Sequence, residues 1–207
     1  MRVTYPQSGQ AAHMGRTVYW MNVSLDLRIE RADGEDGGGG WMRIGEPLHA
    51  EFNRRASQLA LMIEGRRIHE IMEPFWPTAA DDPEQPEVMR EYGRIWTRTP
   101  KVMVSNTRTE SEHARIIGGE DVFEQIATLR AETDGFVGVG GANLATQLLE
   151  RGLLDELLLF THPVVLGEGR PLFDRLQTPL ELDLLEQAQF DDGVTMHRYS
   201  IRGASAT

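Results

Sequence analysis

The stretch Phe136–Phe173, FVGVGGANLATQLLERGLLDELLLFTHPVVLGEGRPLF, has the pattern of a strand, a glycine turn, a helix, a second strand and a loop. Phe136–Val139 is a short apolar run, and Ala142–Arg151 carries apolar residues at helical spacing. Gly140 and Gly141 lie between them without side chains, so another group can approach the backbone there. Amides of a first helical turn are unpaired and lie at the positive end of the helix dipole. The turn therefore predicts a site for a phosphate or another anion.

The glycine pair alone is a weak signal, because many strand-to-helix turns contain glycine for chain reversal only. The dinucleotide fingerprint of Rossmann domains needs a third glycine, and Asn143 stands at that position. The ribose-binding acid of that fingerprint follows about 20 residues later, whereas Asp155 and Glu156 come earlier and directly precede the next strand. On these residues alone, a simple turn and an anion site both remain open.

Upstream of this stretch, Pro47 favours a helix start because a first-turn proline loses no hydrogen bond. Pro74–Pro86 is interrupted by prolines and acids, and we expect an irregular surface segment there. The buried face predicted for the helix is formed by apolar residues three or four positions apart: Leu48, Phe52, Ala56, Leu59 and Ile63.

The remaining segments predict a layered α/β protein. Thr17–Val23 and Lys101–Val104 have strand patterns, and Asp121–Arg130 has the pattern of an amphipathic helix. Phe190–Ile201 contains two strand-like runs around a turn and predicts an antiparallel hairpin. Strands that alternate with helices are typical of a largely parallel sheet.

Composition limits the function classes. The 207 residues suit one domain, and 21 Lys and Arg against 32 Asp and Glu give a formal net charge of −11, which disfavours nucleic acid as a partner. The absence of cysteine fits a reducing cytoplasm, where we expect the protein. No apolar run is long enough to span a bilayer, so we expect no membrane partner. Residues 1–14 are small and polar without periodicity, and we expect a disordered tail.

Three further segments, taken with Phe136–Phe173, resemble one known family. They are VSLD at Val23–Asp26, EGRRIHE at Glu64–Glu70 and RIWTRTPKVMVSNT at Arg94–Thr107. In order and spacing they resemble the dihydrofolate-reductase-like superfamily, in particular the C-terminal reductase domain of bacterial riboflavin biosynthesis. The resemblance implies one domain over residues 15–203 with a three-layer α/β fold. Its central sheet is then mostly parallel, with flanking helices and a C-terminal antiparallel hairpin.

The resemblance also implies NADPH as the cofactor. The amides of the glycine turn then receive the pyrophosphate, and Arg66 pairs with the adenosine 2′-phosphate through its planar guanidinium. It assigns these residues to the cofactor site: Val23, Gly65, Arg66, Arg67, Ser105, Asn106, Thr107, Val139, Gly140, Gly141, Ala142, Asn143 and Leu144. A solvated helix end is the alternative interpretation of Arg66 and Arg67.

This chain departs from the family pattern at three positions. Ile68 stands where the family has a threonine that contacts cofactor phosphate, so one hydroxyl donor is absent. Leu27 replaces the glycine that follows the SLD segment. Val139 stands where the riboflavin-pathway reductases have a glutamate that helps to hold the ribityl substrate. Riboflavin synthesis is therefore disfavoured.

On the substrate side, the resemblance points to Asp26, His49 and Thr161. His49 lies near the position of the first-helix carboxylate of folate reductases, and imidazole titrates near neutrality, so it is a candidate proton relay. An ordinary helix-edge histidine is the alternative, and a threonine such as Thr161 is also common in strands for its β-propensity. The six histidines show no spacing typical of metal ligands, so we expect no metal.

These residues together predict an NADPH-dependent reductase that transfers hydride to a small heterocyclic or carbonyl substrate. Two alternatives remain: a non-catalytic NADPH sensor or scaffold on the same fold, and a reductase with a flavin or deazaflavin carrier. The family resemblance also implies a homodimer, and Thr161–Phe173 is a candidate for its contact surface.

Overall fold

A computed structural model describes residues 14–32, 39–173, 176 and 178–203. The expected tail over residues 1–14 lies outside these residues except for Met14. Within them the strands are β1 (Arg16–Ser24), β2 (Arg28–Glu30), β3 (Leu59–Gly65), β4 (Lys101–Val104), β5 (Arg115–Ile117), β6 (Phe136–Gly140), β7 (Glu156–His162), β8 (Arg170–Pro171), β9 (Leu182–Gln189) and β10 (Thr195–Ile201). The helices are α1 (Glu46–Ala56), α2 (Arg66–Met72), α3 (Trp76–Asp81), α4 (Glu87–Arg98), α5 (Val122–Glu132) and α6 (Ala142–Glu150).

The main sheet has the strand order β5-β4-β3-β6-β1-β7-β10-β9. Neighbours from β5 to β7 pair in parallel, whereas β10 pairs antiparallel with both β7 and β9. Strands β9 and β10 form the C-terminal hairpin, joined by a 3-10 turn at Asp191–Gly193. The predicted fold class, a mostly parallel sheet with flanking helices and a C-terminal antiparallel hairpin, is confirmed.

Each face of the sheet has its own core, because side chains alternate between faces along a strand. On one face, Tyr19 of β1 and Val137 of β6 pack with Ile126 of α5 and Leu148 of α6. On the other face, Phe160 of β7 packs with residues of α1, including Phe52, at 4.8 Å between ring centroids. The sheet is therefore the middle layer of three.

A second, two-stranded sheet closes one side of the molecule. Strand β2 pairs antiparallel with β8, with Glu30 opposite Arg170. The two strands pack so closely that a Cβ at Gly169, where φ is +125°, would lie 2.0 Å from the Glu30 carbonyl oxygen. Only glycine fits at that crossing. We call this element the β2–β8 ribbon.

Two sequence predictions are wrong in detail. Leu59 and Ile63 do not continue the first helix, because α1 ends at Ala56 and both residues lie in β3. The expected irregular segment Pro74–Pro86 contains α3, whose proline lies in the first helical turn and so costs no hydrogen bond. None of the described helices is long and apolar enough to cross a bilayer.

We expect Gly93→Ala to lower the free energy of unfolding by about 2 kcal/mol, since overpacking of a tight contact costs about 1–3 kcal/mol. A Cβ at Gly93 of α4 would lie 2.5 Å from the Trp76 carbonyl oxygen and 2.8 Å from the Ala80 nitrogen, both in α3. Helices α3 and α4 would have to separate. Thermal unfolding should show a midpoint about 4–8 °C lower. The control is Thr97→Ala on the exposed side of α4; an equal midpoint in the two variants contradicts the prediction.

Candidate functional site

A cleft of about 690 Å³ lies at the carboxyl edge of the sheet, where β3, β4 and β6 end side by side. Ligands of open α/β sheets bind at this edge, and the volume is in the range of ligand pockets. The lining residues from the ends of β3, β4 and β6, the loop after β4, the segment after β5 and the helices α2, α5 and α6 are Gly65, Arg66, Arg67, Ile68, Ile71, Val104, Ser105, Asn106, Thr107, Gly119, Glu120, Val122, Phe123, Gly141, Ala142, Asn143, Leu144 and Gln147. Met21 of β1 and Ile29, Glu30 and Arg170 of the β2–β8 ribbon complete it.

The glycine turn between β6 and α6 forms one wall. Gly141 has φ of +100°, a conformation that side-chain-bearing residues rarely adopt. A Cβ there would lie 3.7 Å from the Gly65 nitrogen and from Ile68 Cγ2, so the turn faces the end of β3. The Ala145 N–H donates to the Gly141 carbonyl at 3.0 Å, and Gly141 has no side chain that could cap the amides of the first helical turn. Those amides lie at the positive end of α6.

The loop after β4 forms a second wall. The Ser105 hydroxyl oxygen accepts hydrogen bonds from the amides of Thr107, at 3.1 Å, and Arg108, at 2.9 Å. The hydroxyl hydrogen of Ser105 remains able to donate to a ligand. Asn106 Oδ1 accepts a bond from the Gly119 amide at 2.8 Å, which ties this loop to the segment before α5. Ser105 thus lines the cleft while Asn106 holds the wall together.

Helix α2 forms the third wall and carries two arginines. Arg66 pairs with Glu70 one turn later, at 3.0 Å between Nη1 and Oε2. Arg67 pairs with Glu30 on the β2–β8 ribbon, so an ion pair joins two walls of the cleft. Both arginine side chains are at least half exposed and line the cleft. The Glu30 carboxylate offsets part of the positive charge that Arg67 adds.

A buried histidine stands behind this wall. His69 Nδ1 lies 2.6 Å from Glu64 Oε2, and His69 Nε2 lies 3.0 Å from the Ser111 hydroxyl and 3.3 Å from Glu73 Oε1. Burial by itself lowers the pKa of His69, but the carboxylates of Glu64 and Glu73 outweigh it and raise that pKa. The network links the end of β3, helix α2 and the loop that follows Ser105. It fixes the relative position of two walls of the cleft.

The expected substrate-side residues do not line this cleft. Asp26 accepts hydrogen bonds from the Ser24 hydroxyl at 2.7 Å and from the amides of Leu166, at 3.0 Å, and Gly167, at 2.8 Å. The Ser24 hydroxyl and these amides lower the pKa of Asp26 to about 2. The carboxylate therefore holds the loop after β7. Thr161 lies on β7 between its cross-strand neighbours on β1 and β10.

His49 is buried in an aromatic cluster. Its ring lies 6.0 Å from Phe52, 6.1 Å from Trp76 and 5.8 Å from Tyr92, measured between centroids. Burial lowers the pKa of His49, so the neutral ring is favoured. These contacts give His49 a packing role between α1, α3 and α4.

Ten of the thirteen residues assigned to the cofactor line the cleft, and Val23, Val139 and Gly140 do not. Val23 and Val139 are buried in the core beneath it. A Cβ at Gly140 would lie 3.2 Å from Ile68 Cγ2, so Gly140 lets α2 pack onto the turn.

Sequence reasoning missed Glu30, Arg170, Arg108 and the His69 network. Arg170 and Glu30 reach the cleft only because β2 pairs with β8, which no local pattern indicates. The glycine pair Gly118-Gly119 after β5 could have indicated that another backbone segment comes close there. A Cβ at Gly118 would lie 2.4 Å from the Ser105 carbonyl oxygen. Among the described residues, no three His, Asp or Glu side chains come together as a metal site.

Comparisons with known proteins give matches over about nine-tenths of this chain. The chain is 27% identical over 189 residues to the uncharacterized protein YyaP of Bacillus subtilis strain 168, covering 91% of this chain and 96% of YyaP. The structure of RibD from Acinetobacter baumannii matches with a TM-score of 0.64 and 17% identity, over 91% of this chain and 58% of that one. Dihydrofolate reductase from Enterococcus faecalis, complexed with NADP(H), matches with a TM-score of 0.60 and 13% identity, over 91% and 98%. The structural matches establish a dihydrofolate-reductase-like fold.

The family model of the RibD C-terminal domain matches residues 17–196. This range begins in β1 and ends at the start of β10, so it includes all other strands of the main sheet and all three walls of the cleft. The chain belongs to the RibD C-terminal domain family.

Proposed function

We propose that the protein is an NADPH-dependent reductase that transfers hydride to a small heterocyclic or carbonyl substrate. One observation carries the proposal: residues from three separate segments, around Arg66, Ser105 and Gly141, line a single cleft at the carboxyl edge of the sheet. RibD and a dihydrofolate reductase share this fold, and the complex of that reductase with NADP(H) supports the same ligand class.

The residues of the cleft fit a phosphorylated dinucleotide. The first turn of α6, which follows Gly141 and so has no side chain at its N-cap, offers amides and the positive end of a helix dipole to a pyrophosphate. Arg66 and the Ser105 hydroxyl offer donors to a further phosphate on the adenosine. Apolar side chains, among them Val104 and Phe123, provide surfaces for flat rings. Ile68 contributes packing in place of the family's hydroxyl donor.

NADPH supplies the hydride, and the chain supplies position and exclusion of water. The walls formed by α2, the Ser105 loop and the glycine turn orient the cofactor, while the β2–β8 ribbon screens the cleft from solvent. Correct orientation of two reactants accounts for a large share of catalysis in such reactions. Val139 has no carboxylate and lies in the core beneath the cleft, so this position offers a riboflavin precursor no charged contact and another substrate is favoured.

We expect Arg66→Ala to weaken NADPH binding by about 10- to 100-fold and to leave NADH binding within twofold. The reason is that a hydrogen bond to a charged group is worth about 1.5–3 kcal/mol, and NADH lacks the 2′-phosphate. Isothermal titration calorimetry with both nucleotides measures the preference. The control is Arg98→Ala, an exposed arginine at the end of α4. Equal affinity of the wild type for NADPH and NADH contradicts the assignment.

A nucleotide sensor without turnover is the second candidate, because Asp26, His49 and Thr161 all lie outside the described cleft. Oxidation of NADPH in the presence of a panel of carbonyl and heterocyclic acceptors supports the reductase. Tight binding with no oxidation across the panel supports the sensor. A carrier such as flavin or deazaflavin would be recognised by visible absorbance of the purified protein.

The homodimer stays a prediction. Val165, within the candidate contact run Thr161–Phe173, is 65% exposed, and Leu184 and Leu185 are 52% and 44% exposed on the edge strand β9. Light scattering of the purified protein measures its mass directly.

A further inference from the structure

Glu70 holds two arginines at the rim of the cleft. Arg66 Nη1 donates to Glu70 Oε1 at 3.3 Å and to Oε2 at 3.0 Å, and Arg108 Nη1 donates to the same Oε1 at 3.3 Å. One carboxylate oxygen therefore accepts from both guanidinium groups, which makes them near neighbours. The arginines come from different walls: Arg66 from α2, and Arg108 from the loop after β4.

The position of Arg108 is fixed from its own side. Its amide donates to the Ser105 hydroxyl oxygen at 2.9 Å, and its guanidinium donates to the Glu110 carbonyl oxygen at 3.1 Å through Nη2. Arg108 directly follows Thr107, the last residue of this loop that lines the cleft. Its side chain is 39% exposed and that of Arg66 is 50% exposed, so an anion can reach both.

Two guanidinium groups that share one carboxylate favour a doubly charged anion. Arg108 also lies 3.7 Å from Glu73 Oε2, but the other oxygen of Glu73 is engaged by His69 and Ser111, so Glu70 is the carboxylate that both arginines share. A phosphate monoester carries about −1.5 to −2 charges and three acceptor oxygens, so it bridges two guanidinium groups better than one carboxylate does. NADH has no group that could take this place.

We propose that Arg108, together with Arg66, binds the adenosine 2′-phosphate of the cofactor, and that Glu70 occupies the bridging position until the phosphate displaces it. The inference rests on the proposed function, because it assumes that the cleft takes NADPH. Arg108 is then a specificity-determining residue, and Glu70 is a displaceable occupant that holds the two guanidinium groups close together while the site is empty.

Titration with 2′-AMP and 5′-AMP tests the proposal, since the two nucleotides differ only in the position of the phosphate. In Arg108→Gln we expect affinity for 2′-AMP and NADPH to fall about tenfold, with 5′-AMP and NADH unchanged within twofold. Glu70→Gln removes the carboxylate that competes with the phosphate for both arginines, so we expect 2′-AMP to bind several-fold more tightly. Arg94→Gln, which removes an exposed, ion-paired arginine of α4, is the matched control and changes none of the four affinities.

Each outcome decides a separate point. If Arg66→Gln weakens 2′-AMP binding and Arg108→Gln does not, Arg108 has no part in the site and the inference is wrong. If Glu70→Gln weakens 2′-AMP binding, Glu70 is not a displaceable occupant. If the wild type binds neither 2′-AMP in preference to 5′-AMP nor NADPH in preference to NADH, the assignment of NADPH as the cofactor is wrong, and with it the proposed function. Circular dichroism of each variant confirms that the comparison is made between folded proteins.

Discussion

Gly141→Val is expected to weaken NADPH binding by about 100-fold or more while the domain stays folded. A side chain at φ of +100° costs about 1–3 kcal/mol, which the turn relieves by rotating its amides away from the cleft. The added carbon atoms would also point toward the Gly65 nitrogen and Ile68, 3.7 Å from the Cβ, and narrow the space between two walls. A loss of about 2.8 kcal/mol corresponds to the factor of 100. Titration calorimetry measures the affinity.

Gly152→Val is the matched control for this variant. Gly152 also has a positive φ, +66°, and follows the other end of α6, where a Cβ would meet no atom within 4 Å. Its strain should lower the thermal midpoint while NADPH binding changes less than twofold. If Gly141→Val binds NADPH as Gly152→Val does, the glycine turn is a chain reversal only and the amides of α6 do not hold the pyrophosphate.

Lowering the pH from 6.5 to 4 is expected to reduce the free energy of unfolding by about 3 kcal/mol through His162. The Arg43 amide donates to His162 Nδ1 at 3.0 Å, so the ring proton lies on Nε2 and is donated to Asn22 Oδ1 at 3.0 Å. Burial, with a smaller effect of Arg43, lowers the pKa of this ring to about 4. The folded state therefore keeps His162 neutral where the unfolded state, with a pKa near 6.5, becomes charged.

The direction of this pH effect on stability follows from the number of protons that each state binds. Below pH 6.5 the unfolded state binds more protons than the folded state, so this contribution is complete above pH 6.5 and is lost as the pH falls toward 4. Urea unfolding at pH 7.5, 5.5 and 4.5 should show a smaller decrease in His162→Gln than in the wild type. Equal decreases in the two proteins contradict the prediction. An NMR titration of the His162 ring with a midpoint near 4 provides an independent check.

Local patterns predicted most elements of the fold. The glycine turn, α6 and the C-terminal hairpin lie where their sequence signals place them, because those signals act between near neighbours. The boundary of α1 was missed because the buried parallel strand β3 reads LALMI, a continuous apolar run whose Leu59 and Ile63 also satisfy helical spacing. Periodicity alone does not separate the two structures in such a run.

The sequence also predicted only part of the candidate site. Arg66, Ser105 and Gly141 belong to short motifs, and the sequence predicted that they share one site. Their roles stay predictions until ligands are measured. Glu30 in the cleft and Arg108 at its rim are joined to α2 by ion pairs between distant segments, which composition and spacing do not encode. The substrate-side residues were assigned by position in a family pattern, and the packing around His49 depends on Trp76 and Tyr92, far along the chain.

The order of the strands has a thermodynamic consequence. The walls of the cleft come from chain positions near 65, 105 and 141, and they meet only when β3, β4 and β6 have paired. The unfolded chain therefore has no binding site, and a ligand of the cleft binds only the folded protein. Such linkage adds about 2.7 kcal/mol to the stability of the whole domain at a ligand concentration 100 times the dissociation constant. A ligand of the cleft, NADPH in our proposal, therefore also protects the whole domain against unfolding and proteolysis.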